Sequence, residues 1–257
     1  MVEVTRHEPG RFCWPELATS DPEGAKRFYA EIFGWTAEDS PAGPGMTYTM
    51  LRLRGKDVGA LYGQGEREKG VPPHWNTYVS VASADEAASK ARQLGGTVLA
   101  GPFEVMEHGR MAVLQDPAGA ALCVWQARSH IGARLVDEPG TMCWCELATT
   151  DPKKAGAFHS QLFGWTLKPS GGGYTEFVRG GASIGGMMEI GPDWGPVPSH
   201  WLTYFCVSDC DAAAERAQEL GASARVPPKE IANVGRFAVL IDPQGAHFAI
   251  IQLVSAA

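Results

Sequence analysis

A tryptophan stands two residues before a glutamate twice in this chain, as Trp14 and Glu16 in "FCWPELATSDP" and as Trp144 and Glu146 in "MCWCELATTDP". On an extended strand, residues i and i+2 share a face, so each pair sets an indole plane beside a carboxylate. Such a pair can stack on a flat molecule and hold a hydroxyl or amine of it. The rival reading makes the Trp a cavity filler and the Glu a backbone cap, although an inward carboxylate must still be satisfied or neutralised. A second set recurs as "HWNTY" and "HWLTY". His74, Asn76 and Tyr78 share one face, as do His200, Leu202 and Tyr204, and a His beside a Tyr can move protons or orient an enol or phenol. Both histidines open their strands just after "PP" or "VPS", so the rival reading is a rim histidine bonded to a loop carbonyl. His247 stands on the last strand of the second repeat where the first has Ala121. That asymmetry points to cavities that have diverged, with only one functional.

The elements that position these residues are themselves duplicated. Aligning Pro9–Trp35 with Pro139–Trp165 gives fifteen identities in twenty-seven positions at an offset of 130, and later blocks align at 126. The first copy therefore carries four extra residues, placed by this reading in its Gly/Pro-rich loops. A period this long indicates two homologous domains rather than a solenoid: residues 1–126, a linker at 127–138, and residues 139–257.

Within the first copy, a strand at Phe12–Ala18 leads into a helix at Asp21–Phe33. The helix has an acidic N-cap, Pro22 in its first turn and Gly34 past its end. Strands are expected near Thr47–Leu53, Val58–Tyr62 and Trp75–Val81, then a helix at Ala84–Leu94. Three strands follow near Thr97–Phe103, Arg110–Gln115 and Ala120–Gln126, the last two joined by the turn "DPAG". The fold class is α+β: four βαβββ units in tandem, forming curved mixed sheets with helices on the outer face. Alternation from Trp14 places Phe12, Glu16 and Ala18 on the cavity side, and Cys13, Leu17 and Thr19 toward the helix.

The totals narrow the function. A chain of 257 residues accommodates two domains of about 130, each large enough to bury its own core. A net charge of −7 excludes a nucleic-acid footprint. No apolar run is long enough to span a membrane, and "MVEVTRHEPGR" has no secretory h-region, so the expected location is the cytoplasm. The six cysteines form no C-x-x-C pair and read as buried free thiols. The loops "GGGY" and "GPDWGP" have no helix N-terminus behind them to cradle a phosphate.

The run "ELATSDPEGAKRFYAEIFGW", then "YVSVASADEAASKARQLGG", then "DPAGAALCVW" resembles the vicinal oxygen chelate superfamily. That group includes glyoxalase I, extradiol dioxygenases, fosfomycin-resistance enzymes and bleomycin-resistance proteins. More narrowly, the chain is similar to its tandem-domain actinobacterial branch, glyoxalase-like or "hydroxylase" proteins found near aromatic polyketide pathways. The resemblance covers about Pro9–Trp125 and Pro139–Gln252. In metal-dependent members, it implies a His or Gln on each unit's first strand and a Glu on its last, together binding one divalent metal. Here those positions fall at Trp14, Asn76 and Cys123, and at Trp144, Leu202 and Ala249. Indole nitrogen is only a donor, so the usual site is missing in both copies.

The leading expectation is metal-independent binding of a small, planar, aromatic molecule, of the sequestration or resistance type, with Trp14, Glu16, His74, Asn76, Tyr78, Trp144 and His247 lining the cavity. No cofactor is expected. The second reading is a secondary-metabolism tailoring enzyme with Glu146 as base, assisted by His200 or Tyr204. The third is a divalent-metal-dependent lyase or extradiol dioxygenase, for which Glu146, His200, His247 and Glu189 supply an unusual donor set. No nucleic acid or membrane partner is expected, and both a monomer and a homodimer remain open.

Overall fold

Helix α1 (Pro22–Phe33) starts where the Asp21 carboxylate accepts the Gly24 amide at 3.0 Å. It stops at Gly34, whose φ of 71° is the left-handed conformation that glycine adopts freely. Its counterpart α3 (Pro152–Phe163) uses Asp151 and Gly164 in the same way. Helices α2 (Ala84–Gln93) and α4 (Cys210–Glu219) are capped by Ser83 and Asp209. None of these helices is long and apolar enough to cross a membrane.

The computed structural model describes residues 3–43 and 45–254. Among them, each repeat builds one eight-stranded mixed sheet. The first contains β1 (Phe12–Thr19), β2 (Thr36–Gly43), β3 (Met46–Leu53), β4 (Lys56–Gly63), β5 (His74–Ser80), β6 (Thr97–Val105), β7 (Gly109–Gln115) and β8 (Ala121–Ala127), in the order β2-β3-β4-β1-β5-β8-β7-β6. The second contains β9 (Met142–Thr149), β10 (Thr166–Pro169), β11 (Thr175–Arg179), β12 (Ala182–Glu189), β13 (His200–Cys206), β14 (Ser223–Ile231), β15 (Gly235–Ile241) and β16 (His247–Leu253), in the equivalent order. The four βαβββ units are therefore present. Strand β2 is the element the sequence pattern did not reveal. Its "TAEDSPAG" is almost wholly exposed and is held at the sheet edge by pairing with β3. The extra residues of the first copy lie in this hairpin, where β2 has eight residues and β10 has four.

The two copies do not bury separate cores. One continuous apolar cluster runs through both, uniting the buried faces of all four helices with the helix-facing sides of both sheets. Phe12 packs on Trp165 and Trp201 of the second copy, with ring centroids at 5.3 and 5.4 Å. Trp35 donates to the Gly140 carbonyl and Trp165 to the Gly10 carbonyl, each at 2.7 Å. Tyr29 donates to Asp242 at 2.9 Å, and the symmetry-related His159 lies 3.1 Å from Asp116. These aspartates also fold the "DPAG" and "DPQG" turns by accepting backbone amides, so the turn motif doubles as an inter-copy latch.

One expectation from strand alternation needs correction. The register of β1 against β5 slips between Phe12 and Trp14, and a bulge of this kind reverses the facing of whatever precedes it. Phe12 consequently joins the shared core, while Cys13 joins Trp14 on the open face of the sheet. The same slip in β9 sends Met142 to the core and Cys143 to the open face.

Candidate ligand-binding site

The open face of each sheet, away from the helices, carries the same four-residue network. Antiparallel pairing sets Trp14 opposite Tyr78 and Glu16 opposite Asn76. On its other side Glu16 neighbours Ala60 of β4, a residue small enough for Tyr48 of β3 to reach across it. Tyr48 and Tyr78 donate their hydroxyls to the two Glu16 oxygens at 2.7 and 2.8 Å, and the Trp14 indole donates to the Tyr48 oxygen at 3.3 Å. In the second copy, Tyr174 and Tyr204 each donate to Glu146 at 2.9 Å, and Trp144 donates to Tyr174 at 2.9 Å. Gly186 is the small residue there: a Cβ on it would lie 1.9 Å from the Tyr174 hydroxyl.

Burial raises the pKa of both carboxyls, and the donated phenol hydrogen bonds oppose that rise. The four tyrosines are pushed up, first by burial and then by the adjacent carboxylate. Each network is thus a carboxylate clamped between two un-ionised phenols with an indole at its edge. Tyr48 and Tyr174 were not among the residues selected from sequence. The signal was available, because both precede a threonine and align at the offset of 126.

The remaining candidates divide. His74 and His200 sit at the rim, with Nδ1 2.9 Å from the Pro72 carbonyl and 2.8 Å from the Pro198 carbonyl. A carbonyl can only accept, so Nδ1 carries the proton and Nε2 is left as the basic nitrogen. The rim reading describes both. Their cross-strand neighbours are Ala18 and Ala148, and neither histidine belongs to the Trp–Tyr–Glu–Tyr network. Asn76 and Leu202 are the cross-strand neighbours of Glu16 and Glu146. His247 is exposed at the start of β16, its pKa lowered by partial burial and by His200 nearby. Glu189 is exposed at the end of β12.

The superfamily's metal does not fit these residues. Trp14 and Trp144 occupy the first-strand ligand positions, and Cys123 and Ala249 the last-strand ones, both buried. Burial holds the Cys123 thiol far above its usual range. The oxygens of Glu16 and Glu146 are already engaged by phenols. Among the described residues, no group of three or more His, Cys, Asp or Glu side chains is placed to hold a metal ion, and Glu146, His200, His247 and Glu189 do not converge.

The two open faces differ in what covers them. In the first copy the linker folds back over the sheet. His130 meets Trp14 edge-on at 4.7 Å, Trp125 donates to the His130 carbonyl at 2.9 Å, and Ala133 donates to the Cys13 carbonyl at 2.8 Å. Arg134 donates to Asp57 of β4 at 2.7 Å, so linker backbone fills the wedge where β1 and β4 diverge. Trp14 is left 3% exposed and Glu16 8%. In the second copy the corresponding wedge between β9 and β12 is a cavity of about 270 Å³, walled by Met142, Cys143, Trp144, Ser183 and Ile184 and bordered by the N-terminal segment around His7. Trp144, Cys143 and Glu146 are only partly buried.

Residues 11–124 match the Glyoxalase/Bleomycin resistance protein/Dioxygenase superfamily, and residues 144–251 match the Glyoxalase-like domain. The chain is 40% identical over 258 residues to the putative glyoxylase CFP32 of Mycobacterium tuberculosis, covering 98% of each protein. It is 36% identical over 267 residues to the anthracycline biosynthesis protein DnrV of Streptomyces peucetius, covering 97% of this chain and 96% of that one. Among solved structures, the Mn(II)-bound glyoxalase from Novosphingobium aromaticivorans superposes with a TM-score of 0.68 at 14% identity, over 96% of this chain and 83% of that one. The 2,3-dioxygenase LapB from Pseudomonas sp. KL28 gives 0.64 at 12%, over 98% and 93%. At such identities these two likenesses speak for the fold alone. With both repeats matched and relatives aligned along nearly its whole length, the chain belongs to the glyoxalase/bleomycin resistance protein/dioxygenase superfamily.

Proposed function

We propose that the second copy binds a planar aromatic small molecule, without a metal, in the wedge beside Trp144. The observation that carries this reading is the contrast between the sealed Trp14 and the partly buried Trp144 bordering a cavity of about 270 Å³. In the first copy that wedge holds a single pass of linker backbone around Ala133, so it is about one chain wide, and a flat ring system suits the same slot. The volume of about 270 Å³ lies just below the ~300–1,000 Å³ common to ligand pockets, which suits a small flat ligand. Trp144 supplies the stacking surface. Glu146 lies two residues along the same face, its two oxygens held by Tyr174 and Tyr204, so a ligand hydroxyl reaches it by joining or displacing one of those phenol bonds. The anthracycline biosynthesis relatives supply the ligand class, a hydroxylated polycyclic quinone. The first copy is then a scaffold, with Trp14, Glu16, Asn76 and Tyr78 serving its packing and His74 its rim.

A second reading, an enzyme that tailors such a molecule, rests on Glu146. A half-buried carboxyl with a raised pKa is a candidate general base, with Tyr204 already bonded to it and the Nε2 of His200 available at the rim.

The test is titration with alizarin, a hydroxylated anthraquinone, followed by tryptophan quenching after dialysis against EDTA. Saturable quenching that disappears in Trp144→Ala and persists in Trp14→Phe supports the proposal. Binding only after Mn²⁺ or Zn²⁺ is restored, or no binding, overturns it. Conversion of the bound quinone by the wild type but not by Glu146→Gln would favour the enzyme reading.

A further inference from the structure

The cavity beside Trp144 has charged walls as well as an aromatic one. Arg6, His7, Glu8, Arg11 and Asp137 line it together with the indole. Arg6 and Glu8 neutralise each other, paired at 2.8 Å at the exposed edge. The His7 Nε2 lies 2.7 Å from the Ala133 carbonyl, and burial holds the ring's pKa below its usual 6.5, so the imidazole is neutral at pH 7. Two charges remain. Asp137 is exposed, and water screens it. Arg11 is half-buried, and among the described residues its guanidinium makes no side-chain hydrogen bond or ion pair. The first copy has no such group. Thr141 stands at the equivalent position, 130 residues on, fully buried, with its hydroxyl donated to the Glu138 carbonyl at 2.7 Å. The arginine therefore accompanies the open wedge and is missing from the filled one.

We propose that Arg11 is a specificity residue for an acidic ligand: the planar aromatic molecule in the second wedge carries a carboxylate, which the Arg11 guanidinium binds while the rings lie against Trp144. This inference rests on the binding reading above and adds the charge of the ligand to it. A guanidinium is always protonated, and its planar fork of N–H donors matches a carboxylate bidentately. A neutral ring system entering the wedge would take water from Arg11 and give it no partner, which costs free energy. A carboxylate on the ligand replaces that water with a charge-assisted pair. The neighbouring Asp137 opposes such a ligand, but its solvation limits the opposition, whereas the half-buried Arg11 is the less screened of the two.

The experiment compares two dihydroxyanthraquinones that differ in one substituent, rhein with a carboxylate and chrysophanol with a methyl group in its place. Both are titrated into the EDTA-dialysed protein at neutral pH and read by tryptophan quenching. The wild type should bind rhein about tenfold or more tightly than chrysophanol, the worth of one hydrogen-bonded charge pair. Arg11→Gln should bring rhein down to the affinity of chrysophanol, and Arg11→Lys should keep part of the preference. Asp137→Asn should tighten rhein by removing the opposing charge, and Asn tolerates the left-handed backbone at that position, where φ is 59°. Equal wild-type affinities for the two compounds, or a preference for rhein that survives in Arg11→Gln, would overturn the role of Arg11 and leave the Trp144 site standing. Binding of neither compound, or quenching that survives Trp144→Ala, would overturn both.

Discussion

The two open faces are built from the same parts and are covered differently. In the first, Trp14, Glu16, Tyr48 and Tyr78 lie beneath the linker, with His130 against the indole and Ala133 bonded to Cys13. In the second, Trp144, Glu146, Tyr174 and Tyr204 repeat the hydrogen bonds, but the wedge beside them is a cavity. Duplication has left one network beneath linker backbone and the other with its tryptophan at the edge of a cavity. The repeated hydrogen-bond pattern therefore does not by itself distinguish the two copies. The cover decides.

The sharpest way to break this comparison is to remove each tryptophan. Trp14→Ala should cost about 3–5 kcal/mol of stability, as large-to-small changes of buried aromatics do, with alizarin affinity unchanged. Trp144→Ala should cost clearly less in stability and lower the affinity by about tenfold or more, the loss of a buried aromatic anchor. Urea denaturation and quenching titrations read both, and equal effects from the two substitutions would dissolve the distinction. Uncovering the sealed face is the converse experiment. His130→Ala removes a ring contact and should lower stability by about 1 kcal/mol, while making Trp14 quenchable by alizarin. A binding stoichiometry still limited to one would show that the linker backbone, rather than the imidazole, is the plug.

A third contrast lies in the shared core. Trp75 donates to Tyr29, which donates to Asp242, so every polar atom of that latch is engaged. In the symmetry-related position His159 replaces Tyr29, and both His159 Nδ1 and Trp201 Nε1 are buried without a partner. Burial lowers the His159 pKa below its usual 6.5 despite the opposing pull of Asp116. The folded state then binds fewer protons than the unfolded one, so this contribution to stability is present above pH 6.5 and is lost as the pH falls below it. His159→Tyr should remove that acid-side loss and give Trp201 a partner, a gain of about 1 kcal/mol. Melting curves at pH 5.5 and 7.5 would show it as a flatter pH dependence.

The smallest expected effect concerns the glutamates. Both carboxyls have raised folded-state pKa values, so their charge opposes folding at neutral pH, and the opposition vanishes as the pH falls below the unfolded value near 4.5. Glu16→Gln and Glu146→Gln should therefore raise the melting temperature slightly at pH 7.5 and leave it unchanged near pH 4. Only Glu146→Gln should also weaken alizarin binding. Glu16 and Glu146 share the cost of burial and differ only in the cavity beside Trp144, so this pair of substitutions reads stability and function separately in each copy.

Local signals in the chain were reliable where the physics is local. The Asp21 and Asp151 caps, the glycines that end α1 and α3, the "DPAG" turn and the alternation of β5 follow from hydrogen bonds within a few residues, and all were legible. The exposed edge strand β2 was not. Its polar "TAEDSPAG" has neither an apolar face nor a periodicity, and it is a strand only because β3 pairs with it. The bulge that turns Phe12 inward was hidden for a related reason, since register is set by the partner strand.

By itself the sequence determined the duplication, the four βαβββ units, and the placement of an indole beside a carboxylate in each copy, because side-chain spacing along a strand is a property of the strand. Only the tertiary structure decided that both carboxylates are clamped by a second tyrosine, Tyr48 from β3 or Tyr174 from just before β11, and that the copies share one core. It also decided that the linker closes one wedge and leaves the other open. Those outcomes depend on which distant segments meet, and burial, access and proton affinity follow from that meeting rather than from residue order.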